Sequence, residues 1–355
     1  MNRRNDSHDE TNPAFGNRSE RSKARADAID QFLRAFAPCD SQDQLAEMMV
    51  TITRLAADGC NRGDVKLLNR ALKELRYAFK VFAPFASVPK VSIFGSARTP
   101  VGHPQYQQAV KFSCMMREHG WMIITGAGDG IMRAGHDGAT REASFGVSIS
   151  LPFEQTTNDI IAGDAKLVNF KYFFTRKLLF VKEADAIILF PGGYGTQDEG
   201  FEALTLIQTG KSEPVPIVLC DEPGGTYWQH WRTWVKAELL ANGMISPQDM
   251  GLFFLTDRVE DAVNEILRFY RRYHSSRYVQ DQFVIRMKSR ISDAALQAIN
   301  DQFPDIVGED RIRQIDHALP EEEGEYAELA RLVFRFDRRS LGRLRFLINA
   351  INGAD

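Results

Sequence analysis

The sequence lacks the features that mark several large classes of protein. The four cysteines among its 355 residues are far apart and form no Cys-x-x-Cys pair, which argues against a disulfide framework and against a zinc site. No apolar run approaches the roughly 18 residues of a membrane-spanning helix, and the polar first segment has no apolar core of a signal peptide. A formal net charge of −3 gives no electrostatic case for nucleic-acid binding. These absences predict a cytoplasmic protein with reduced thiols and with no membrane or nucleic-acid partner.

The sequence also lacks the motifs of common cofactor and metal sites. No Gly-x-x-x-x-Gly-Lys-Ser/Thr loop occurs, which argues against the usual ATPase site. The glycine-rich turns FGSAR and TGAGDG lack the full Gly-x-Gly-x-x-Gly spacing of a dinucleotide fingerprint. The seven histidines are dispersed, without a His-Glu-x-x-His or comparable ligand pair. We therefore expect no metal.

Composition divides the chain into four regions. Residues 1–26 are polar, with few apolar side chains, and are predicted to be disordered. Residues 27–88 place apolar residues three and four apart, which predicts helices. Residues 89–270 alternate short apolar runs with longer helical patterns. Residues 271–355 return to a helix-like, densely charged texture, for which we expect a role in assembly or regulation.

The alternation in residues 89–270 predicts an α/β fold, with a Rossmann-like parallel sheet covered by helices on both faces. Ligands of such sheets bind at the carboxyl ends of the strands. Glycine-rich turns follow three of the candidate strands, which favours a shared anion site, although each turn alone could be a tight connection. The candidate strands are VSIF (91–94), MIIT (122–125), VSIS (147–150), AIILF (186–190), PIVLC (216–220) and LFFL (252–255).

The turn after AIILF, in the stretch FPGGYGTQDEGFE, has the chemistry of a phosphate site. Gly192, Gly193 and Gly195 permit a close approach to the backbone that a side chain would block. A helix beginning near Thr196 would direct its free N–H groups and its positive dipole end at a phosphate, and the Thr196 hydroxyl adds a donor.

The acids after this turn need a separate explanation, because carboxylates repel a bound phosphate. Asp198, Glu199 and Glu202 could simply favour the start of a helix. Alternatively Glu199 or Glu202, which share one helix face, would hold ribose hydroxyls, steer a water or stabilise a cationic transition state at the sugar of a nucleotide. Arg176 and Lys177 interrupt an apolar stretch and are either surface cations or partners of phosphate and carboxylate.

The chain resembles the LOG ("lonely guy") family. PGGYGTQDE matches the family's P-G-G-x-G-T-x-x-E motif, FGSAR resembles its first phosphate-proximal turn, and TGAGDGIMRAGHDGA resembles its second glycine-rich stretch. FFTRK resembles M-x-x-R-K, and GTYWQHWRTWVKAELLANGMI resembles the aromatic segment after the fifth strand. The resemblance covers roughly residues 89–268, and the flanking regions look like those of the longer bacterial members.

The resemblance implies a hydrolase that releases the base of a nucleoside 5′-monophosphate, either AMP or a cytokinin ribotide, and leaves ribose 5-phosphate. It implies no cofactor and a homo-oligomer, at least a dimer. The family's catalytic arginine falls on Arg176 and its catalytic glutamate on Glu199. The positions assigned to phosphate and ribose binding are Gly95, Ser96, Gly126, Gly128, Gly130, Lys177, Gly192, Gly193, Gly195, Thr196 and Glu202.

Some positions depart from the family's pattern. Phe173 replaces the methionine of M-x-x-R-K, and Ala127 and Asp129 replace glycine or other small residues of the second turn. Phe173 and Phe174 could help to line an apolar pocket for a prenylated base. His136, which lies near the site in sequence, is expected to be structural.

Two other functions stay open. A nucleotide-binding carrier or sensor would use similar turns without turnover, although it would have little use for an acid beside phosphate. Lysine decarboxylation, with which members of this family have often been labelled, would need pyridoxal phosphate on a Schiff-base lysine. Lys177 is a conceivable lysine for that role, but no sequence feature singles it out.

Overall fold

The structure is a computed structural model that describes residues 13–35, 40–150, 157–307 and 311–355. The chain divides into two units, Met1–Lys73 and Glu74–Asp355. Within the described residues, no helix has the length and apolar character needed to cross a membrane.

Helices make up the described part of the N-terminal unit. They are α1 (Pro13–Arg34), α2 (Gln42–Ala57) and α3 (Arg62–Phe82), the last of which continues into the second unit. The prediction of disorder is wrong for residues 13–26, because α1 begins at Pro13; a proline is well suited to the first helical position, and the segment is rich in helix-forming residues. Residues 1–12 of that prediction lie outside the described residues.

A seven-stranded parallel sheet forms the centre of the second unit, in the order β4-β3-β2-β1-β5-β6-β7. This confirms the predicted α/β fold. The six candidate strands are all present, but β3 begins before the predicted VSIS run, and β4, a four-residue strand at the sheet edge, was missed. The strands are β1 (Lys90–Phe94), β2 (Met122–Thr125), β3 (Ser144–Ile149), β4 (Leu167–Phe170), β5 (Ala186–Leu189), β6 (Ile217–Cys220) and β7 (Phe253–Thr256).

Helices cover both faces of this sheet. Ile187 and Leu189 of β5 belong to one buried apolar cluster, whereas Ile188 between them belongs to another. Because both faces are buried, the strands are almost continuously apolar rather than alternating. The helices are α4 (Pro104–Glu118), α5 (Ile131–Ala139), α6 (Phe173–Lys182), α7 (Tyr194–Gln208), α8 (Tyr227–Trp234) and α9 (Val259–Phe269), with a π-helical segment (Val235–Leu240) after α8 and short 3₁₀ turns at Ala83–Phe85 and Pro247–Gly251.

The C-terminal part contains a four-stranded antiparallel sheet in the order β10-β11-β9-β8. The expectation of helix-like structure is therefore wrong for these segments. The β8–β9 hairpin turns at Gln280, which has φ +55°, without the glycine that ordinarily marks such a turn. The elements are β8 (Tyr273–Val279), β9 (Gln282–Met287), α10 (Asp293–Gln302), β10 (Arg313–Ile315), a 3₁₀ turn (Pro320–Glu322), β11 (Ala330–Phe334) and α11 (Leu341–Gly353).

A buried ion cluster lies on this antiparallel sheet. Glu322, which is 2% exposed, accepts hydrogen bonds from Arg286 at 2.7 Å and from Arg331 at 2.8 Å. Burial by itself would raise the pKa of Glu322, but the hydrogen bonds from the Leu319 backbone and from both arginines outweigh burial and hold it below its ordinary value. The loop that carries Glu322 is thus attached to β9 and β11 by charge-assisted hydrogen bonds.

We expect Glu322→Gln to lower the free energy of unfolding by about 3 kcal/mol, because it leaves two buried guanidinium groups without their shared carboxylate. Urea denaturation would measure this loss. The neighbouring exposed Glu323 supplies the matched control, and Glu323→Gln should change stability by no more than about 0.5 kcal/mol. An equal effect of both substitutions would contradict this role of the ion cluster.

Candidate active site

A cavity of about 800 Å³ lies where β1, β2 and β5 end. The three glycine-rich turns that the sequence predicted to share a site border this one cavity. The first turn contributes Gly95 and Ser96, and the second contributes Gly126. The third turn lines the cavity with Gly192, Gly193, Gly195, Thr196 and Glu199.

The turns are joined to each other by backbone contacts. The Ser96 N–H donates to the carbonyl of Pro191 at 3.1 Å, which connects the first turn to the third. Gly130 has φ +61°, and a Cβ at this position would lie 2.2 Å from the Ser96 carbonyl oxygen. Only glycine permits both this conformation and this approach. Gly130 therefore supports the first turn from behind, outside the lining of the cavity.

The N-terminus of α7 faces the cavity. Gly193 is the residue before the helix, and the N–H groups of the first helical turn have no partner within the helix. Together with the positive end of the helix dipole, these groups suit an anionic ligand. Thr196 is buried in this first turn, and its side chain borders the cavity.

Arg176 on α6 is held by contacts to its side chain. Its Nε donates to the Val147 carbonyl at 3.0 Å, and the guanidinium carbon lies 5.1 Å from the centre of the Phe180 ring. The distal nitrogens extend towards the second turn, where a Cβ on Gly126 would lie 2.6 Å from Nη2. Burial lowers the pKa of Arg176 and the charge of Glu199 opposes this shift; an arginine stays protonated under either influence.

Glu199 lies in the first turns of α7 and is 9% exposed. Burial raises the pKa of its carboxyl group to about 7, although Lys177 and Arg176 both favour the charged form. A carboxyl group that titrates near neutral pH inside a cavity is typical of acid–base or charge-stabilising chemistry.

Lys177 and Glu202 pair with each other instead of lining the cavity. The Lys177 ammonium lies 2.7 Å from Glu202, 2.8 Å from Asp198 and 3.9 Å from Glu199. Burial alone would lower the pKa of Lys177, but the hydrogen bonds to Asp198 and Glu202 outweigh it and raise the pKa. Neither residue is among the described residues that border the cavity. Their predicted contact with phosphate or ribose stays a prediction, while their observed neighbour is Glu199.

The second glycine-rich turn is connected to a buried polar network. His136 is fully buried and lies 3.0 Å from the Thr125 hydroxyl and 3.2 Å from Asn158 Oδ1. The Asn158 side-chain amide donates to the Gly128 carbonyl at 2.9 Å. Gly128 thus contributes its backbone to the network and does not border the cavity. These contacts agree with a structural role for His136.

Several residues that the sequence analysis did not single out also border the cavity. The Tyr227 hydroxyl donates to the Gly192 carbonyl at 2.6 Å, and Arg98 and Met132 contribute to the walls. Arg98 ends the FGSAR turn, and Tyr227 belongs to the aromatic segment GTYWQHW, so both lie in stretches that the sequence analysis quoted. The contact of Tyr227 with Gly192, 35 residues away, had no signal in the sequence. Phe173 lies at the cavity and is 53% exposed. Phe174 stacks on Tyr172 and is not among the described lining residues.

The part of the chain that the structure describes contains no candidate metal site. No group of at least three His, Cys, Asp or Glu side chains is arranged there to hold an ion.

About half of the chain can be superimposed on solved structures of other proteins. The molybdenum cofactor binding protein from Rippkaea orientalis is 18% identical, with 50% of this chain and 94% of that protein covered and a TM-score of 0.36. The molybdenum cofactor carrier protein from Chlamydomonas reinhardtii is 21% identical, with coverages of 51% and 98% and a TM-score of 0.35.

Comparisons with known sequences identify more specific similarities than these structures do. A family model described as "possible lysine decarboxylase" matches residues 128–266. The cytokinin riboside 5′-monophosphate phosphoribohydrolase of Mycobacterium tuberculosis is 28% identical over 172 residues, which are 47% of this chain and 88% of that protein. These two matches, together with the PGGYGTQDE motif at the cavity, agree with the resemblance of the chain to the LOG family.

Proposed function

We propose that the protein hydrolyses the N-glycosidic bond of a nucleoside 5′-monophosphate, AMP or a cytokinin riboside 5′-monophosphate, to the free base and ribose 5-phosphate. The observation that carries this proposal is the position of Glu199. Its carboxyl group, whose pKa is about 7, borders the same cavity as Arg176 and the glycine-rich N-terminus of α7. The cavity thus combines a binding site for an anion with an adjacent acidic group.

The 5′-phosphate is the anchor in this proposal. The N–H groups of the first turn of α7 and the Thr196 hydroxyl bind its oxygens, and Gly193 and Gly195 leave room for it, since a Cβ on either would meet no atom within 4 Å. Binding energy from the phosphate then positions the scissile bond, which is remote from it. Arg176 orients the phosphate–ribose unit and Glu199.

Glu199 acts at the sugar. In the bond-breaking step, the C1′–N bond breaks with its electron pair going to the base, and positive charge develops on the ribose ring. The ionised Glu199 stabilises this charge or removes a proton from the water that attacks C1′. The oxygen of this water forms the new bond to C1′, and its proton finally passes to the departing base, which is released in its neutral form. The base lies towards Phe173 and Met132, two of the apolar residues of the wall.

Decarboxylation of lysine through a Schiff base on Lys177 is disfavoured by the contacts of that residue. A Schiff base requires a neutral amine, yet the Lys177 ammonium lies within 3 Å of two carboxylates, and its pKa is raised. The description of the family model as a possible lysine decarboxylase therefore has no support from this lysine.

Product analysis tests the proposed reaction. AMP incubated with the wild-type protein should yield adenine and ribose 5-phosphate, and Glu199→Gln and Arg176→Ala should each lower kcat/KM by about 100-fold or more. Chromatography of the reaction would measure both products, with other nucleoside monophosphates and an N6-prenylated AMP in parallel. Glu238→Gln, at an exposed position, is the matched control and should retain full activity. Tight nucleotide binding without release of a base from any nucleotide would instead favour a carrier or sensor.

The pKa of Glu199 predicts the pH dependence of the reaction. If the ionised carboxylate acts, kcat should rise about tenfold per pH unit below pH 7 and level off at or above pH 7, because the nearby substrate phosphate favours the protonated form. Steady-state rates between pH 5 and pH 9 would measure the profile. A rate that falls as the pH rises through 7 would contradict this role and indicate a general acid.

The raised pKa of Glu199 also predicts a change in stability, which can be tested without measuring activity. A carboxyl group whose pKa is raised on folding destabilises the folded state as the pH rises from its ordinary value, 4.5, towards 7. Glutamine cannot ionise, so Glu199→Gln should gain on the order of 3 kcal/mol of stability relative to wild type across this window. Denaturation at pH 4.5 and pH 8 would measure the difference, and equal differences at both values would contradict the raised pKa.

Gly126→Ala tests the placement of Arg176. The added Cβ would lie 2.6 Å from Arg176 Nη2 and 2.6 Å from the Met132 sulfur, both at the ends of side chains that can move. We expect the fold to remain and kcat to fall about 100-fold, since a displacement of roughly 1 Å at a positioning group has effects of this size. Gly102→Ala is the control, because a Cβ there would meet nothing within 4 Å. Unchanged kcat in Gly126→Ala would contradict the importance of this position.

A further inference from the structure

A second cavity, of about 830 Å³, lies at the opposite end of the parallel sheet. It borders Pro89 and Asp185, where β1 and β5 begin, whereas the candidate active site lies where the same strands end. A five-residue strand such as β1 spans about 16 Å. A ligand of metabolite size in one cavity therefore does not reach the other.

The two sides of this second cavity carry opposite charge. Asp185 and Glu213 contribute carboxylates from the side of the parallel sheet. Lys288 and His274 contribute nitrogen groups from the antiparallel sheet. Burial raises the pKa of Asp185, so its carboxylate gains from any hydrogen-bond donor that a ligand brings. A ligand that suits both sides has donor groups at one end and negative charge at the other.

Lys288 is the cation that a ligand would meet. Its Nζ donates to the Tyr270 carbonyl at 2.7 Å, and no carboxylate among the described residues lies within ion-pair distance of it. Partial burial lowers its pKa, which an anion beside it would reverse. By contrast Lys182, at the other side, already pairs with Glu183 at 2.7 Å.

An aromatic wall of the cavity is held in place before any ligand binds. The Tyr326 ring is 43% exposed and lies 4.6 Å from the His274 ring, and the Arg286 guanidinium lies 4.9 Å from its centre. The Tyr326 carbonyl accepts a hydrogen bond from Arg331 at 3.0 Å. Arg286 and Arg331 are the partners of Glu322 in the buried ion cluster. The cluster thus fixes an exposed ring at the mouth of the cavity, which lowers the entropy cost of binding against it.

We propose that this cavity binds a nucleoside phosphate. The base packs against Tyr326 and His274, the phosphate pairs with Lys288, and the sugar hydroxyls or base N–H groups donate to Asp185 and Glu213. The volume falls in the range of sites for ligands of this size. Inorganic phosphate would make no contact with the aromatic wall or with the two carboxylates, and an organic cation would meet Lys288.

Binding can be followed through Trp121, which borders this cavity and lies 5.8 Å from Tyr270. The experiment titrates AMP, adenosine and inorganic phosphate into the full-length Glu199→Gln protein, in which the proposed hydrolysis is suppressed. Tryptophan emission and calorimetry are recorded together. We expect AMP to change the emission, Trp121→Phe to remove that change, and adenosine and inorganic phosphate each to bind at least tenfold more weakly than AMP.

Paired substitutions locate the site. Tyr326→Ala and Lys288→Glu should each weaken the Trp121-reported binding of AMP at least tenfold, while Tyr326→Phe, which keeps the ring, should retain it. Tyr278→Ala and Lys236→Glu, at exposed positions outside the cavity lining, are the matched controls. Arg176→Ala should leave the Trp121-reported binding of AMP unchanged. This result would separate binding in the second cavity from binding at the candidate active site, and it makes the test independent of the proposed reaction.

Three results would overturn the proposal. The first is an unchanged Trp121 emission at millimolar AMP in a protein whose Tyr326 and Lys288 are intact. The second is AMP binding that survives both Tyr326→Ala and Lys288→Glu. The third is binding of adenosine or of inorganic phosphate as tight as that of AMP, which would remove the phosphate or the base from the recognised ligand.

Discussion

The balance of charge around Glu199 is the constraint on which the candidate active site depends. Its carboxyl group is buried in the first turns of α7, and burial moves its pKa to about 7 against the attraction of two cations. Those cations are adjacent residues of α6 with different partners. Arg176 is anchored on the Val147 carbonyl and borders the cavity, whereas Lys177 is held among three carboxylates. Without both, a buried carboxyl group near an anionic ligand would stay protonated well above neutral pH.

This arrangement requires the parallel sheet. The turns after β1, β2 and β5 meet only because parallel strands bring their carboxyl ends to one edge. Glycine then allows the backbones to approach, as Gly130 does against the Ser96 carbonyl. The helix that follows β5 directs its N-terminus at the cavity and carries Glu199 in its first turns. Anion binding and acid chemistry are therefore supplied by a single strand–turn–helix unit, with α6 providing the opposing charge.

The antiparallel sheet adds a second set of charges at the far end of the same strands. Its buried Glu322 holds Arg286 and Arg331, and these in turn hold Tyr326 at the second cavity. The stability of the antiparallel sheet and the shape of the cavity thus depend on the same ion cluster. The two cavities lie at opposite ends of β1 and β5 and border different residues of α6, so each can be altered by substitutions that do not touch the other.

The sequence alone was sufficient for the parallel α/β domain, for six of its strands and for the turns that line the cavity, because apolar periodicity and glycine placement are local properties. The contiguous PGGYGTQDE motif was also sufficient for the resemblance to the LOG family. The antiparallel sheet was missed, since its hairpin at Gln280 has no glycine and its strands carry arginines whose partner, Glu322, lies 36 residues from Arg286. Only the tertiary structure decided that Lys177 pairs with Glu202 rather than lining the cavity, and that the pKa of Glu199 lies near 7. The burial of a side chain depends on how the helices pack, and so does the pairing of charges that are distant in sequence. A pattern of neighbouring residues contains no information about either.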